Sequence, residues 1–120
     1  MAVKRIVTNI ATDNVDRAAA FYRDILGLEI VMDQGWIQTF ASDGNAAPQI
    51  SIASQGGSGT ATPDISIEVD NLEEVYQRIV DRNLPIEYDL TTEPWGVRRF
   101  YVRDPFGRLL NILTHDDRAS

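Results

Sequence analysis

The stretch "WGVRRFYVRDPFGRLLNIL", Trp95–Leu113, decides the fold. It reads as strand, turn, strand: a β-rich run from Val97 to Arg103, a turn at Asp104-Pro105-Phe106-Gly107, and a second strand from Leu109 to Thr114. In that second strand, alternation sends Leu110 and Ile112 one way and Leu109, Asn111 and Leu113 the other. A third strand precedes the pair, near Ile86–Leu90.

Further upstream the period changes. "DNLEEVYQRIVDRN" carries an apolar stripe of Leu72, Val75, Tyr76, Ile79 and Val80 at helical spacing. Asp70 with Glu73 makes a capping-box-like start, and Asn83 offers a stop. Before it lies a strand, Asp64–Val69. There Ile65, Ile67 and Val69 oppose Asp64, Ser66 and Glu68.

The same grammar opens the chain. Residues 3–11 alternate Ile6, Thr8 and Ile10 against Arg5, Val7 and Asn9. Asp13 and Asn14 supply capping oxygens for a helix striped by Val15, Ala18, Ala19, Tyr22, Ile25 and Leu26, which Gly27 stops. Strands follow at Leu28–Met32, Trp36–Ala41 and Gln49–Ala53. "DNV" from Asp13 answers "DNL" from Asp70, "GLEIV" from Gly27 answers "NLPIE" from Asn83, and "FASDG" from Phe40 answers "YVRDPFG" from Tyr101. The expected organisation is α+β: two tandem β-α-β-β-β modules, 1–53 and 64–115, in one domain spanning 1–120. The small, polar, Gly-rich "SQGGSGTATP", residues 54–63, joins them as a flexible linker.

Composition narrows the function. Hydrophobic residues at 43% of 120 fit one globular domain with its own core, and no apolar run approaches a membrane span. A net charge of −7 repels phosphate backbones and anionic lipid, so neither nucleic acid nor membrane is an expected partner. The same charge suits a cationic small ligand, or only solubility. Cysteine is absent, which excludes disulfides, thiol nucleophiles and thiolate metal sites. "MAVKRIVTNIATDN" has no apolar core of a secretion signal, and cytoplasmic residence is the expectation.

Each helix must bury its stripe against an apolar sheet face. The opposite face then gathers Arg5, Val7, Asn9, Asp64, Ser66, Glu68 and Asn111, as a ligand site or as a merely wet surface.

"FYRDILGLEI" (Phe21–Ile30), "DISIEVDNLEEVYQRI" (Asp64–Ile79) and the opening stretch together resemble the vicinal-oxygen-chelate superfamily of glyoxalases, bleomycin-resistance proteins and extradiol dioxygenases. The resemblance covers nearly the whole chain. It implies paired modules whose mixed sheet curls around a cavity, in a homodimer. Catalytic members hold one divalent metal on His and Glu side chains, leaving positions open for a chelating substrate. The resemblance places those ligand positions on Val7, Asp64 and Asn111. Valine binds no metal, an amide is a weak neutral ligand, and only Asp64 carries charge, so neither the usual metal nor any other cofactor is expected. A displaced site on Asp64, Glu68 and Asn111 shares one parity and stays open. His115 shares it too, but four residues beyond Asn111 it reads as a surface residue.

The expected function is metal-independent binding of an aromatic or cationic organic ligand. Trp36, Phe40, Trp95, Phe100 and Tyr101 are candidate walls, with Phe40 and Phe100 more readily read as core. Asn9, Trp36, Ser66, Trp95, Arg98, Tyr101 and Asn111 are the candidate ligand contacts. Arg98 and Arg99 could clamp an acidic group or form solvated cross-strand ion pairs. Whether the protein is an enzyme stays open: a metal-dependent lyase, isomerase or dioxygenase is the alternative, and Glu68 is the candidate acid or base of a metal-free one. No Gly-x-Ser-x-Gly elbow is present, and the Gly-rich segment leads to no helix, so neither a serine nucleophile nor a phosphate loop is indicated.

Overall fold

The computed structural model describes residues 3–42 and 49–115. In chain order these form β1 (Val3–Ala11), a 3-10 turn (Val15–Arg17), α1 (Ala18–Tyr22), β2 (Glu29–Asp33), β3 (Ile37–Ala41), β4 (Gln49–Ala53), β5 (Ile65–Val69), α2 (Leu72–Asp81), β6 (Ile86–Thr92), β7 (Val97–Arg103) and β8 (Leu109–His115). The fold is α+β with mixed pairing: β1 runs parallel to β4 and β5 to β8, and the hairpin neighbours are antiparallel. The chain divides into two compact units, Val7–Thr62 and Met1–Ile6 with Pro63–Ser120.

The second unit orders its strands β5-β8-β7-β6. On one face Ile67, Ile112 and Phe100 lie in register across three strands. That face packs on α2, and Val69, Leu72, Phe100, Val102 and Ile112 form the buried core. Phe100 is fully enclosed, its ring edge-on to Tyr76 with centroids 5.2 Å apart. The expected stripe of α2 packs as its spacing predicts, except that Val80 at its margin is 41% exposed. The helix ends as expected at Asn83, which takes φ 55°. Leu84 N–H donates to Ile79 C=O and Asn83 N–H to Val80 C=O, a Schellman cap that satisfies the last carbonyls. The start differs by one residue. The N-cap is Asn71, not Asp70, and its amide donates to Glu74 Oε2 at 2.9 Å. Glu73 is thereby free to pair elsewhere.

The first unit orders its strands β2-β3-β4-β1. Its core is smaller, with Ala18, Phe40 and Ile52 buried under Ala19, Tyr22, Leu28, Ile30 and Ile50. The predicted first helix is overturned in its second half. Regular α-structure stops at Tyr22, and Ile25 and Leu26 are 68% and 56% exposed. The reason is local: Asp24 and Leu26 N–H reach back five residues to Ala19 and Phe21 C=O, which also accept from Arg23 and Ile25 N–H, so the last turn mixes i→i−4 and i→i−5 bonds. So loosened a turn departs from the 3.6 repeat that assigns residues 25 and 26 to the buried face. Gly27 still ends the element, at φ 75°. So short a helix covers Phe40 and Ile52 but not Ile10, which is 39% exposed.

Each unit follows the β-α-β-β-β plan, with its first strand parallel to its last. One detail of the repeat is corrected. Phe40 and Phe100 are the largest fully buried side chains among the described residues, each on the helix side, whereas Tyr101 points the other way. Laying Phe40 over Tyr101 is therefore one residue out, and in a strand one residue flips the face. Asp43 and Gly44 of that repeat lie outside the described residues. Residues 54–60 form no helix or strand, yet they close on themselves. Gly56 N–H donates to Thr60 C=O at 2.8 Å, and Gly59 N–H donates to Gln55 Oε1 at 3.0 Å. No described helix is long and apolar enough to cross a membrane.

Candidate functional site

The face of the second unit opposite α2 gathers polar and aromatic side chains rung by rung. Ser66, Asn111, Tyr101 and Tyr88 stand in register across β5, β8, β7 and β6, and the next rung runs Glu68, Leu113, Arg99, Thr91. Strand alternation builds this arrangement on β5, β8 and β7, and a register shift between Tyr88 and Thr91 brings both of these β6 residues into it.

Asn111 is 8% exposed. Its Nδ2 donates to Ser66 Oγ at 3.1 Å, while its buried Oδ1 has no hydrogen-bond partner among the described residues. Asp64 sits just before β5, and its side chain is committed to the backbone. Leu109 N–H donates to Asp64 Oδ2 at 2.9 Å, and Asp64 N–H to Leu109 C=O at 2.8 Å. Glu68, 8% exposed, lies 2.8 Å from His115 Nδ1, 3.1 Å from Arg5 Nε and 3.8 Å from Lys4 Nζ. Burial pushes its pKa up, but the hydrogen bond and charge of His115, then the charges of Arg5 and Lys4, outweigh this and hold it below 4.5. That direction is opposite to the upward one that poises a carboxyl as an acid or base near neutrality.

A depressed folded value makes Glu68 a source of stability above its ordinary pKa, lost as pH falls through the folded one. Thermal melts of the wild type should therefore lose stability as pH drops below 4.5, and Glu68→Gln should flatten that decline. Parallel curves for the two proteins would contradict the assignment.

One rung on, Arg99 is 3% exposed and Glu93 4%. Arg99 Nε donates to Glu93 Oε2 at 2.7 Å, and Tyr88 OH donates to the same oxygen at 2.9 Å. The guanidinium carbon lies 5.3, 5.1 and 5.0 Å from the ring centroids of Tyr88, Trp95 and Tyr101. These are cation–π distances, so the aromatic cage of this unit holds the chain's own cation. Glu93 is presented by a tight loop: Glu93 N–H donates to Val97 C=O at 2.7 Å, and Gly96 supplies φ 88°.

The expected contacts thus divide. Ser66, Trp95, Tyr101 and Asn111 belong to this face of the second unit, with Glu68. Arg98 does not: it points to the α2 side and ion-pairs with Glu73. Adjacent strand residues face opposite ways, and Arg99 takes the inner position, its ion pair buried rather than solvated. Asn9 and Trp36 lie in the first unit. Asn9 pairs in register with Ser51, whose Oγ is 2.8 Å from Thr39 Oγ1, and Trp36 C=O accepts from Ser54 N–H at 2.9 Å. Phe40 and Phe100 are core, not walls. Arg99, one of the two candidate clamps, is joined on this face by Tyr88, Glu93 and His115, which are not among the candidate contacts. His115 has the expected parity, and it meets Glu68, which stands opposite Leu113, two residues before it.

The chain matches the model of the Glyoxalase/Bleomycin resistance protein/Dioxygenase superfamily over residues 4–112. It belongs to that superfamily. Comparison with curated proteins finds no match. Among solved structures, a superfamily member from Vibrio splendidus is 19% identical, with a TM-score of 0.68 over 94% of this chain and 99% of that one. A variant methylmalonyl-CoA epimerase from Streptomyces coelicolor, bound to 2-nitronate-propionyl-CoA, is 16% identical, with a TM-score of 0.71 over 97% of each chain. A Legionella pneumophila structure described as an NAD-dependent benzaldehyde dehydrogenase is 14% identical, with a TM-score of 0.73 over 93% of this chain and 100% of that one. At these identities the likeness is one of fold.

The superfamily's divalent metal does not fit the side chains at the positions that the resemblance assigns to its ligands. Val7 is a buried hydrocarbon 5% exposed, Asp64 is bonded to the Leu109 amide, and Asn111 is a neutral amide. The displaced alternative fares no better, because Glu68 is already surrounded by cations. Among the described residues no group of three or more His, Cys, Asp or Glu could hold a metal ion.

Proposed function

We propose that the protein is a metal-independent, small-molecule-binding member of the superfamily that sequesters an aromatic organic ligand. The carrying observation is the commitment of Asp64, the one charged residue at the assigned ligand positions, to the Leu109 backbone amide. Support for an aromatic ligand comes from Tyr88, Trp95 and Tyr101 grouped beside the buried Asn111. A cationic ligand is less well served, since Arg99 already takes the faces of these rings. We further propose a cytoplasmic homodimer. The cysteine-free composition suits a reducing compartment, and exposed Ile6, Phe21, Ile25 and Leu26 offer apolar area to a second copy.

Elemental analysis after purification with excess divalent ions tests the metal-independent reading. Substoichiometric metal is expected. One chelator-removable ion per chain would instead mark a metal-dependent lyase, isomerase or dioxygenase using other ligands.

A further inference from the structure

Glu68 is a buried carboxyl group that the folded protein keeps charged. Burial alone would raise its pKa, but His115, Arg5 and Lys4 hold it below its ordinary value. At neutral pH it is therefore a carboxylate, which only accepts hydrogen bonds. The proton of its 2.8 Å contact with His115 Nδ1 must then sit on the ring nitrogen. In the neutral imidazole that leaves Nε2 bare, as a proton acceptor. The two partners differ in access. Glu68 is 8% exposed, whereas the His115 side chain is 49% exposed and makes no other hydrogen bond or ion pair among the described residues. A sheltered carboxylate thus fixes the tautomer of an accessible imidazole at the last residue of β8. On β7 the residue in register with His115 is the uncharged Val97, and Lys4 and Arg5 of β1 add their charges around Glu68.

We propose that His115 and Glu68 form a hydrolytic dyad for small activated esters such as aryl acetates, with His115 as the catalytic base and Glu68 as its positioning residue. This activity goes beyond the small-molecule reading above and does not depend on it. Solvent reaches His115, so the ester needs no enclosed pocket. Water gives a proton to His115 Nε2 while its oxygen bonds to the acyl carbon and the carbonyl π pair moves onto oxygen. That pair then reforms the double bond, the bond to the aryl oxygen breaks, and the phenolate takes the proton from the imidazolium. The products are a carboxylic acid and a phenol, with water the only co-reactant. Glu68 stays ionised throughout and keeps the Nδ1 proton in place. An aryl ester suits the dyad because a phenolate departs with no acid beyond the imidazolium.

The chain contains one histidine and no cysteine, so an imidazole activity has a single source. Turnover of 4-nitrophenyl acetate should be about a hundredfold or more faster per imidazole than with free 4-methylimidazole, the lower end of what a positioned base contributes. His115→Gln should return the rate to the buffer background. Glu68→Gln should lower kcat about tenfold or more with KM unchanged, because an amide no longer selects the tautomer. Nitrogen-15 spectra of the single imidazole add a readout that a merely structural role would not move. In wild type the proton of the neutral ring should sit on Nδ1, and in Glu68→Gln it should be shared between the two nitrogens. A wild-type rate no better than free 4-methylimidazole, or one that survives His115→Gln, overturns the proposal and leaves the small-molecule reading standing. A wild-type proton on Nε2 overturns it as well, and that measurement needs no variant to fold.

Discussion

Arg99→Met should cost about 3–5 kcal/mol of folding stability, because it leaves the Glu93 carboxylate buried without its cation. Both partners are almost wholly enclosed, with side-chain exposures of 3% and 2%, so water cannot replace the missing charge. The Tyr88 hydroxyl would remain as one donor to Glu93, but a phenol supplies no net charge. Adding Glu93→Leu to Arg99→Met should restore most of the loss, since it removes the orphaned carboxylate itself. Urea unfolding of the wild type, both singles and the double mutant gives the cycle. A double mutant as unstable as Arg99→Met would show that packing of the guanidinium under the rings, not charge compensation, is what holds this region.

Phe100→Ala should cost a similar 3–5 kcal/mol by a different route. The ring is completely buried, meets Tyr76 edge-on, and stands in register with Ile112 and Ile67 beneath α2. Truncation leaves a cavity where β7, β8 and the helix share one core. Whole domains are stable by only about 5–15 kcal/mol, so such a loss removes a large part of that margin. Chemical denaturation should show the lowered midpoint, and an unchanged midpoint would mean that Phe100 is not central to that core. Phe100→Leu, which keeps most of the apolar volume, should lose much less.

Much of this architecture is legible in the sequence because period and punctuation agree. The strands around Asp104-Pro105-Phe106-Gly107 are fixed by alternation on both sides of a turn, and Asn83 ends α2 where an amide side chain tolerates positive φ. Ile25 and Leu26 escape the same logic. Their 3.6 spacing is intact, but the backbone loosens its last turn, and periodicity carries no information about that bond pattern. The site is less legible than the fold for a related reason. Arg98 and Arg99 look alike in composition, and a single step along β7 separates a pair with Glu73 from a buried pair with Glu93. Glu93 itself lies in a loop, where no periodicity indicates whether a carboxylate is solvated or enclosed. His115 is exposed, as its place at the end of β8 suggests, and its contact with Glu68 on the neighbouring strand is not visible from its distance to Asn111 along the chain.

The superfamily scaffold and the chemistry of this chain therefore point apart. The β-α-β-β-β plan is kept in each unit, while Val7, Asp64 and Asn111 are respectively apolar, backbone-bonded and neutral. The central proposal is that aromatic and polar side chains bind a small molecule here without a metal. Titration of a panel of small aromatic molecules, followed by the fluorescence of Trp36 and Trp95 in chelator and again in excess divalent ion, tests it most directly. The account predicts a saturable ligand with the same midpoint in both conditions. Binding that appears only with the metal would contradict it.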